Sequence, residues 1–176
     1  YKKYWAVYEM VVRNPRDQDV SYQLMGHPPS FKYVVVFPFD VRGQTVTLLR
    51  QWQQGLNEWW WLFPTGGFNP KKVSNVHQAA VCELSEEAHL KGGKWTRLIP
   101  IDSKGIIECS FSRNRFIPYL VVNPEEDQQP RPLDAEEEDL IQIHTVSLEL
   151  AKHIQKSGRL VPSSSVCMTL SLASLK

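Results

Sequence analysis

The chain is poor in cysteine, and its cysteines form no recognisable pattern. Cys82, Cys109 and Cys167 are the three cysteines among 176 residues, and no two of them lie close together in the sequence. An odd, scattered count argues against a disulfide framework and against a CxxC metal site. Reduced cysteines are typical of an intracellular protein, so we expect a cytoplasmic or organellar location.

Long apolar runs and an excess of charge of one sign are missing as well. No apolar run reaches the length of about eighteen residues that a membrane-spanning helix needs, so we expect no membrane partner. The formal net charge of +1 gives little general attraction for a polyanion and leaves only local basic patches for such binding. The five histidines lack the spacing of zinc ligands. Because the first residue is Tyr1 rather than Met, we expect a trimmed or processed form in which a targeting segment would not be visible.

What the chain does contain is enough apolar sequence for one globular domain. Hydrophobic residues make up 42% of the chain and charged residues 22%, which is typical of a folded protein. Patterns typical of strands occur at 4–13, 33–41, 45–52, 94–101, 115–123 and 140–147. Helices are predicted up to about residue 90, at 148–158 and at 163–175, whereas 14–30 is rich in turn residues. This irregular alternation predicts a single α+β or mixed α/β domain.

The segment "AAVCELSEEAHL", Ala79 to Leu90, contains three glutamates and no cation. On a helix, Glu83, Glu86 and Glu87 are spaced at i, i+3 and i+4, where like charges destabilise the helix. One interpretation is a solvated acidic face. The other is a set of carboxylates facing a cleft, where Mg²⁺ bound by oxygen ligands and substrate phosphates would cancel the repulsion.

The bounds of this helix and its buried side are also predicted. Ser74 or Asn75 can cap its N-terminus, and the glycines at 92 and 93 are expected to end it. A rotation of about 100° per residue places three residues on the buried stripe. These are Val81, Leu84 and Ala88.

Two features of the preceding segment leave alternatives open. The consecutive tryptophans Trp59, Trp60 and Trp61 cannot share one face of a strand. They therefore belong either to the core and a dimer interface or to a surface that stacks nucleobases. Lys71 and Lys72 in "NPKK" are either two solvated lysines or cations that attract phosphate.

The stretch "GGFNPKKVSNVHQAAVCELSEEAHL" resembles the Nudix box, G-x5-E-x7-R-E-U-x-E-E-x-G-U, where U is apolar. Its C-terminal half matches at the three glutamates and at Leu84 and Leu90, and Gly67 matches the opening glycine if one residue is inserted. The segment "TVTLLRQW…WWWLFPTGGF" and the tail "SLELAKHIQKSGRLVPSSSVCMTLSLASL" are similar to ADP-ribose pyrophosphatase-like members that act on nucleotide sugars.

The resemblance implies a Nudix fold, in which a mixed β-sheet is sandwiched between helices and an antiparallel β region lies at the N-terminus. It divides the chain into residues 1–30, an N-terminal strand and turn region that serves as a dimerisation arm, and residues 31–176, the hydrolase domain. The implied activity is Mg²⁺-dependent hydrolysis of the diphosphate of ADP-ribose or a related nucleotide sugar, with Mn²⁺ as an alternative metal. The implied assembly is a homodimer.

The resemblance also assigns metal ligands and catalytic residues. Glu83, Glu86 and Glu87 would bind the metal, and Glu87 is the first choice. Glu86 and Glu87 would also be catalytic. An acid from the late loop, chosen from Glu136 to Glu138, would position or deprotonate water, and Glu137 is the preferred residue. Charged clusters in polar loops are often simply solvated, so this assignment has a plain alternative.

Substrate-binding residues are implied in the same way. Arg50 in "LLRQW" would contact phosphate, Gly66 and Gly67 would shape the loop near the pyrophosphate, and Glu138 would also bind substrate. The chain departs from the subgroup at Leu62, which replaces a glutamate before the glycine loop, and at Gln53, which replaces an arginine.

The box itself is divergent at three positions. Its first glutamate falls on Ser74, its arginine on Cys82 and its late glycine on His89. In the family that arginine helps to orient a catalytic glutamate, so its loss predicts a less well held Glu86. Cys82 is interpreted as a packing residue rather than a nucleophile, because neighbouring carboxylates disfavour a thiolate.

Two other functions remain open at this stage. The same fold could act on a triphosphate or capped RNA 5′ end, with the tryptophans stacking bases. The divergent box also fits a degenerate domain that binds nucleotide or RNA as a subunit of a protein complex.

Overall fold

The computed structural model describes residues 5–133 and 139–175 and is built around a mixed β-sheet. The strands are β1 (Ala6–Arg13), β2 (Asp19–Gly26), β3 (Lys32–Asp40), β4 (Thr45–Gln53), β5 (Glu58–Leu62), β6 (Thr65–Gly67), β7 (Leu90–Lys91), β8 (Lys94–Arg97), β9 (Ile106–Ile107), β10 (Arg115–Val122), β11 (Glu125–Glu126) and β12 (Ile141–Ser147). The helices are α1 (Val76–Ala88), α2 (Leu148–Lys156) and α3 (Pro162–Ser174). No helix within the described residues is long and apolar enough to cross a membrane.

The sheet is organised around β3. Its strand order is β12-β4-β3-β10-β8, with β5 paired to β4, β6 to β3 and β9 to β10. β3 runs parallel to β10 along one edge. On its other edge β6 pairs antiparallel with Tyr33–Val35, and β4 pairs with the far end at Phe39 and Asp40. β6, which contains Gly66 and Gly67, thus pairs with a part of this edge of β3 that β4 does not reach.

Both faces of β3 are buried, which explains its near-continuous apolar sequence. Val34 and Val36 pack against α1 on one side of the sheet. Val35, Phe37 and Phe39 pack on the other side in a cluster that includes residues of α2 and α3. The expected mixed sheet between helices is therefore confirmed.

The segment 14–30, predicted to be turns, contains a strand. β2 pairs antiparallel with β1 over its full length, from Ala6 opposite Gly26 to Arg13 opposite Asp19. Asp19, Ser21 and Gln23 are polar and exposed, so the composition resembles that of a loop, and the prediction of turns was wrong for this strand. The antiparallel N-terminal region that the family resemblance implies is confirmed.

The structure of α1 shows which residue caps its N-terminus and where the helix ends. Asn75 is the N-cap, and its side chain accepts a hydrogen bond from the backbone N–H of Gln78 at 2.9 Å. The helix ends at Ala88, earlier than predicted, because His89 adopts the left-handed conformation with φ of 53°. The glycines at 92 and 93 therefore do not cap it.

We predict that His89→Gly stabilises the protein. A non-glycine residue in the left-handed region costs about 1 kcal/mol or more, and glycine is the usual residue after a helix end. After the entropy that glycine loses on folding, the free energy of unfolding should rise by roughly 0.5–1 kcal/mol. Urea denaturation measures it.

His89→Ala is the matched control, because it removes the imidazole and keeps the unfavourable φ. It should give no comparable gain. A stability of the alanine variant equal to that of the glycine variant would contradict the backbone explanation.

Candidate active site

The three predicted glutamates lie in one cleft. It has a volume of about 360 Å³ and is bordered by β6, α1 and the segment 131–133. Glu83, Glu86 and Glu87 line it together with Gly66 and Gly67. The structure therefore brings the predicted metal ligands to the predicted glycine loop.

Glu87 is the most deeply buried of these carboxylates, with 4% of its surface exposed. The backbone N–H of Thr65 donates a hydrogen bond to its Oε2 at 2.6 Å. Leu84 and Ala88 of the predicted buried stripe are buried, but the prediction was wrong for Val81, which is 38% exposed. Glu87 is covered instead, because β6 packs against the face that was expected to be solvated.

Glu83 explains why a glycine stands at position 66. A Cβ atom built on Gly66 would overlap the carboxylate of Glu83. The requirement is for space, since Gly66 has no positive φ. At Gly67 a Cβ would meet no atom within 4 Å. The two adjacent glycines therefore differ, and only Gly66 is needed for the position of Glu83.

Glu86 forms an ion pair with a cation from outside the helix. Nη1 of Arg131 lies 3.9 Å from Oε1 of Glu86, and the two side chains are 57% and 29% exposed. Lys72 also lines the cleft and has an exposed side chain, while Lys71 is exposed as well. Arg131 was missed from the sequence because it follows a proline-rich loop that carries no motif.

Cys82 behaves as a packing residue. It is 6% exposed, and burial is the largest cause of the raised pKa of its thiol. Arg131 lowers that pKa and the carboxylates of Glu86 and Glu83 raise it, which agrees with the predicted direction. All three cysteines are free.

The donor set fits a metal that is shared with substrate. Among residues 5–133 and 139–175, no three His, Cys, Asp or Glu side chains are arranged to hold a metal ion by themselves. Mg²⁺ does not need such a cage, because it commonly binds one or two carboxylates and takes its remaining ligands from water and substrate phosphates. Glu83 beside Gly66 and the half-buried Glu86 offer carboxylates of this kind.

Arg50 lies in a second cleft of about 450 Å³ with Trp52, Trp59 and Trp61. Its guanidinium is 5.3 Å from the centre of the Trp59 ring, which in turn meets Trp52 edge to face at 5.5 Å. Trp61 packs against the core cluster. The predicted contact between Arg50 and phosphate stays a prediction.

The remaining predictions concern the acidic residues of the late loop and Ser74. Glu137 and Glu138, with Glu136, lie outside the described residues. Ser74 lies before the helix cap, where its hydroxyl contacts the side chain of Gln78 at 2.9 Å.

Comparison with known proteins identifies the fold and a sequence family. A family model described as "NUDIX domain" matches residues 29–163, which is more than half of the chain. A crystal structure described as that of an ADP compounds hydrolase superimposes with a TM-score of 0.71 at 16% sequence identity. The match covers 99% of this chain and 88% of that one. No curated protein matches the chain in sequence.

We predict that Gly66→Ala weakens metal binding more than it weakens the fold. The new Cβ displaces the Glu83 carboxylate, and loss of support for a metal ligand typically costs about 10–100-fold in affinity. Calorimetric titration with Mn²⁺ measures the affinity. Because the displaced atoms are the end of a flexible side chain, the free energy of unfolding should change by less than about 1.5 kcal/mol.

Gly67→Ala is the matched control for space, because its Cβ meets no neighbour. It should keep the Mn²⁺ affinity closer to that of the original protein. Equal losses in the two variants would show that crowding of Glu83 is not the cause.

Proposed function

We propose that this chain, which belongs to the Nudix family, hydrolyses the diphosphate of ADP-ribose or a related nucleotide sugar in the presence of Mg²⁺. The products are a nucleoside monophosphate and a sugar phosphate. One observation carries the proposal: the three glutamates of α1 share a single cleft with Gly66 and Gly67.

The chain's own residues would position the diphosphate in this cleft. Glu87 is fixed by the Thr65 N–H, and Glu83 is seated against Gly66, so two carboxylates have defined places. Lys72 and Arg131 place positive charge at the same cleft, where phosphate oxygens would be neutralised.

The reaction is attack of a water oxygen on one phosphorus, with cleavage of the bond between that phosphorus and the bridging oxygen. Mg²⁺ supplies charge neutralisation and an activated water when it is bound. Glu86 and Glu87 are the proposed catalytic carboxylates in the described part of the chain. Glu137 is the proposed acceptor of the water proton, and Glu138 a proposed substrate contact.

The residues of the second cleft support the proposal that the substrate contains a nucleotide. Trp52 and Trp59 present aromatic surface there, and Arg50 lies over the Trp59 ring. Base stacking on an aromatic side chain contributes about 1–3 kcal/mol per base. The similar fold of an ADP compounds hydrolase also favours an ADP-containing substrate.

A homodimer through residues 1–30 is part of the proposal. Val7 and Val11 lie on one face of the β1–β2 hairpin and are 74% and 69% exposed. Exposed apolar residues that share one face of a hairpin are suited to burial against a second copy.

We predict that Glu87→Gln abolishes most of the activity. The substitution keeps the shape of the side chain and removes the charge, so release of AMP from ADP-ribose with Mg²⁺ should fall by about 100-fold or more. Coupled detection of AMP measures the rate.

Glu125→Gln is the control, since Glu125 is an exposed glutamate of β11 outside this cleft. Unchanged turnover in Glu87→Gln would rule out this site. A parallel screen with dinucleotides and triphosphorylated RNA separates the two alternative functions. An enzyme that acts on RNA 5′ ends would release pyrophosphate or phosphate from the RNA. A degenerate domain would hydrolyse none of these substrates.

A further inference from the structure

We propose that Arg131 is a positioning residue of the carboxylate cleft, which holds Glu86 and supplies from a distant loop the cation that α1 lacks. The inference rests on the proposed function, because it concerns the same carboxylates. It adds a residue that no motif of the sequence indicates and that follows α1 by a long stretch of chain.

Arg131 forms an ion pair with Glu86. Nη1 of Arg131 lies 3.9 Å from Oε1 of Glu86, and both residues line the cleft. With side chains 57% and 29% exposed, such a pair adds little to the stability of the fold. Its effect is therefore expected on the orientation of Glu86 rather than on folding.

The backbone of Arg131 is hydrogen-bonded to the same helix. Its N–H donates to Oγ of Ser85 at 3.1 Å, and Ser85 is 6% exposed. Oγ of Ser85 donates in turn to Oδ2 of Asp127 at 2.7 Å, and the N–H of Asp127 donates to the carbonyl of His89 at 2.8 Å. Three hydrogen bonds thus place the loop 127–131 along the C-terminal half of α1.

The helix α1 carries an excess of negative charge. α1 contains three glutamates and no lysine or arginine. Glutamates one turn apart repel each other, so a neighbouring cation from another segment lowers that repulsion. Cys82, one turn before Glu86, lines the same cleft as Arg131. A cation introduced at position 82 would therefore lie on the same helix beside Glu86.

The test uses Arg131→Ala and Arg131→Lys, with two measurements. The first is the affinity for Mn²⁺ alone by calorimetry, and the second is kcat and KM with ADP-ribose and Mg²⁺. If Arg131 holds Glu86, the alanine variant should lose about 2–5-fold in Mn²⁺ affinity, the size expected for an exposed ion pair, and a similar factor in kcat. The lysine variant should recover part of both losses.

The sign of the Mn²⁺ result separates positioning from simple charge. Removing a cation that acts only through its charge would make the cleft more negative and tighten Mn²⁺ binding. Tighter or unchanged Mn²⁺ binding in Arg131→Ala would therefore overturn the proposal. Arg13→Ala is the matched control, because Arg13 is also exposed and paired with a carboxylate, that of Asp19 at 2.9 Å, on the N-terminal hairpin.

A rescue variant tests the location of the charge. Cys82→Arg combined with Arg131→Ala should regain Mn²⁺ affinity if the cation belongs beside Glu86, and thermal melting shows whether this variant folds cooperatively. A double variant that folds but does not recover Mn²⁺ affinity would contradict the proposal. If the double variant does not fold, the single variants decide.

Absence of ADP-ribose hydrolysis by the original protein would instead count against the proposed substrate. The Mn²⁺ titrations would still test the role of Arg131.

Discussion

The arrangement of this cleft depends on one hydrogen bond, which the backbone N–H of Thr65 donates to the carboxylate of Glu87. An ionised carboxylate is costly to bury without hydrogen bonds or neighbouring charge, so Glu87 can be almost fully covered only where donors reach it. The bond joins β6, which is paired to β3, to α1, which packs on the same strand. The cleft therefore lies where sheet and helix are fastened together.

The crowding of acidic residues on α1 is explained by what surrounds the helix. Glu83 is seated against a glycine that leaves room for its carboxylate, and Glu86 meets Arg131. Lys72 contributes a further cation at the edge of the cleft. Such a site combines negative groups suited to a divalent metal with positive groups suited to phosphate, which is the balance that diphosphate hydrolysis requires.

Much of this site was predictable because its parts are local in the sequence. The spacing of the glutamates, a helix cap at Ser74 or Asn75 and the apolar run of β3 are each set by neighbouring residues. Two of the errors arose where distant segments meet. β2 was missed because its strand structure depends on pairing with β1, and Val81 was placed in the core because periodicity cannot show which side of a helix is covered.

The sequence alone determined the Nudix family resemblance, the fold class and the set of glutamates, since these depend on residue types at short spacings. Tertiary structure alone decided that Glu87 is buried, that Gly66 rather than Gly67 makes room for Glu83, and that Arg131 stands beside Glu86. The physical reason is that each of these facts is a contact between chain segments far apart in sequence. Such contacts are set by how the sheet, helix and loop pack, and no local pattern encodes them.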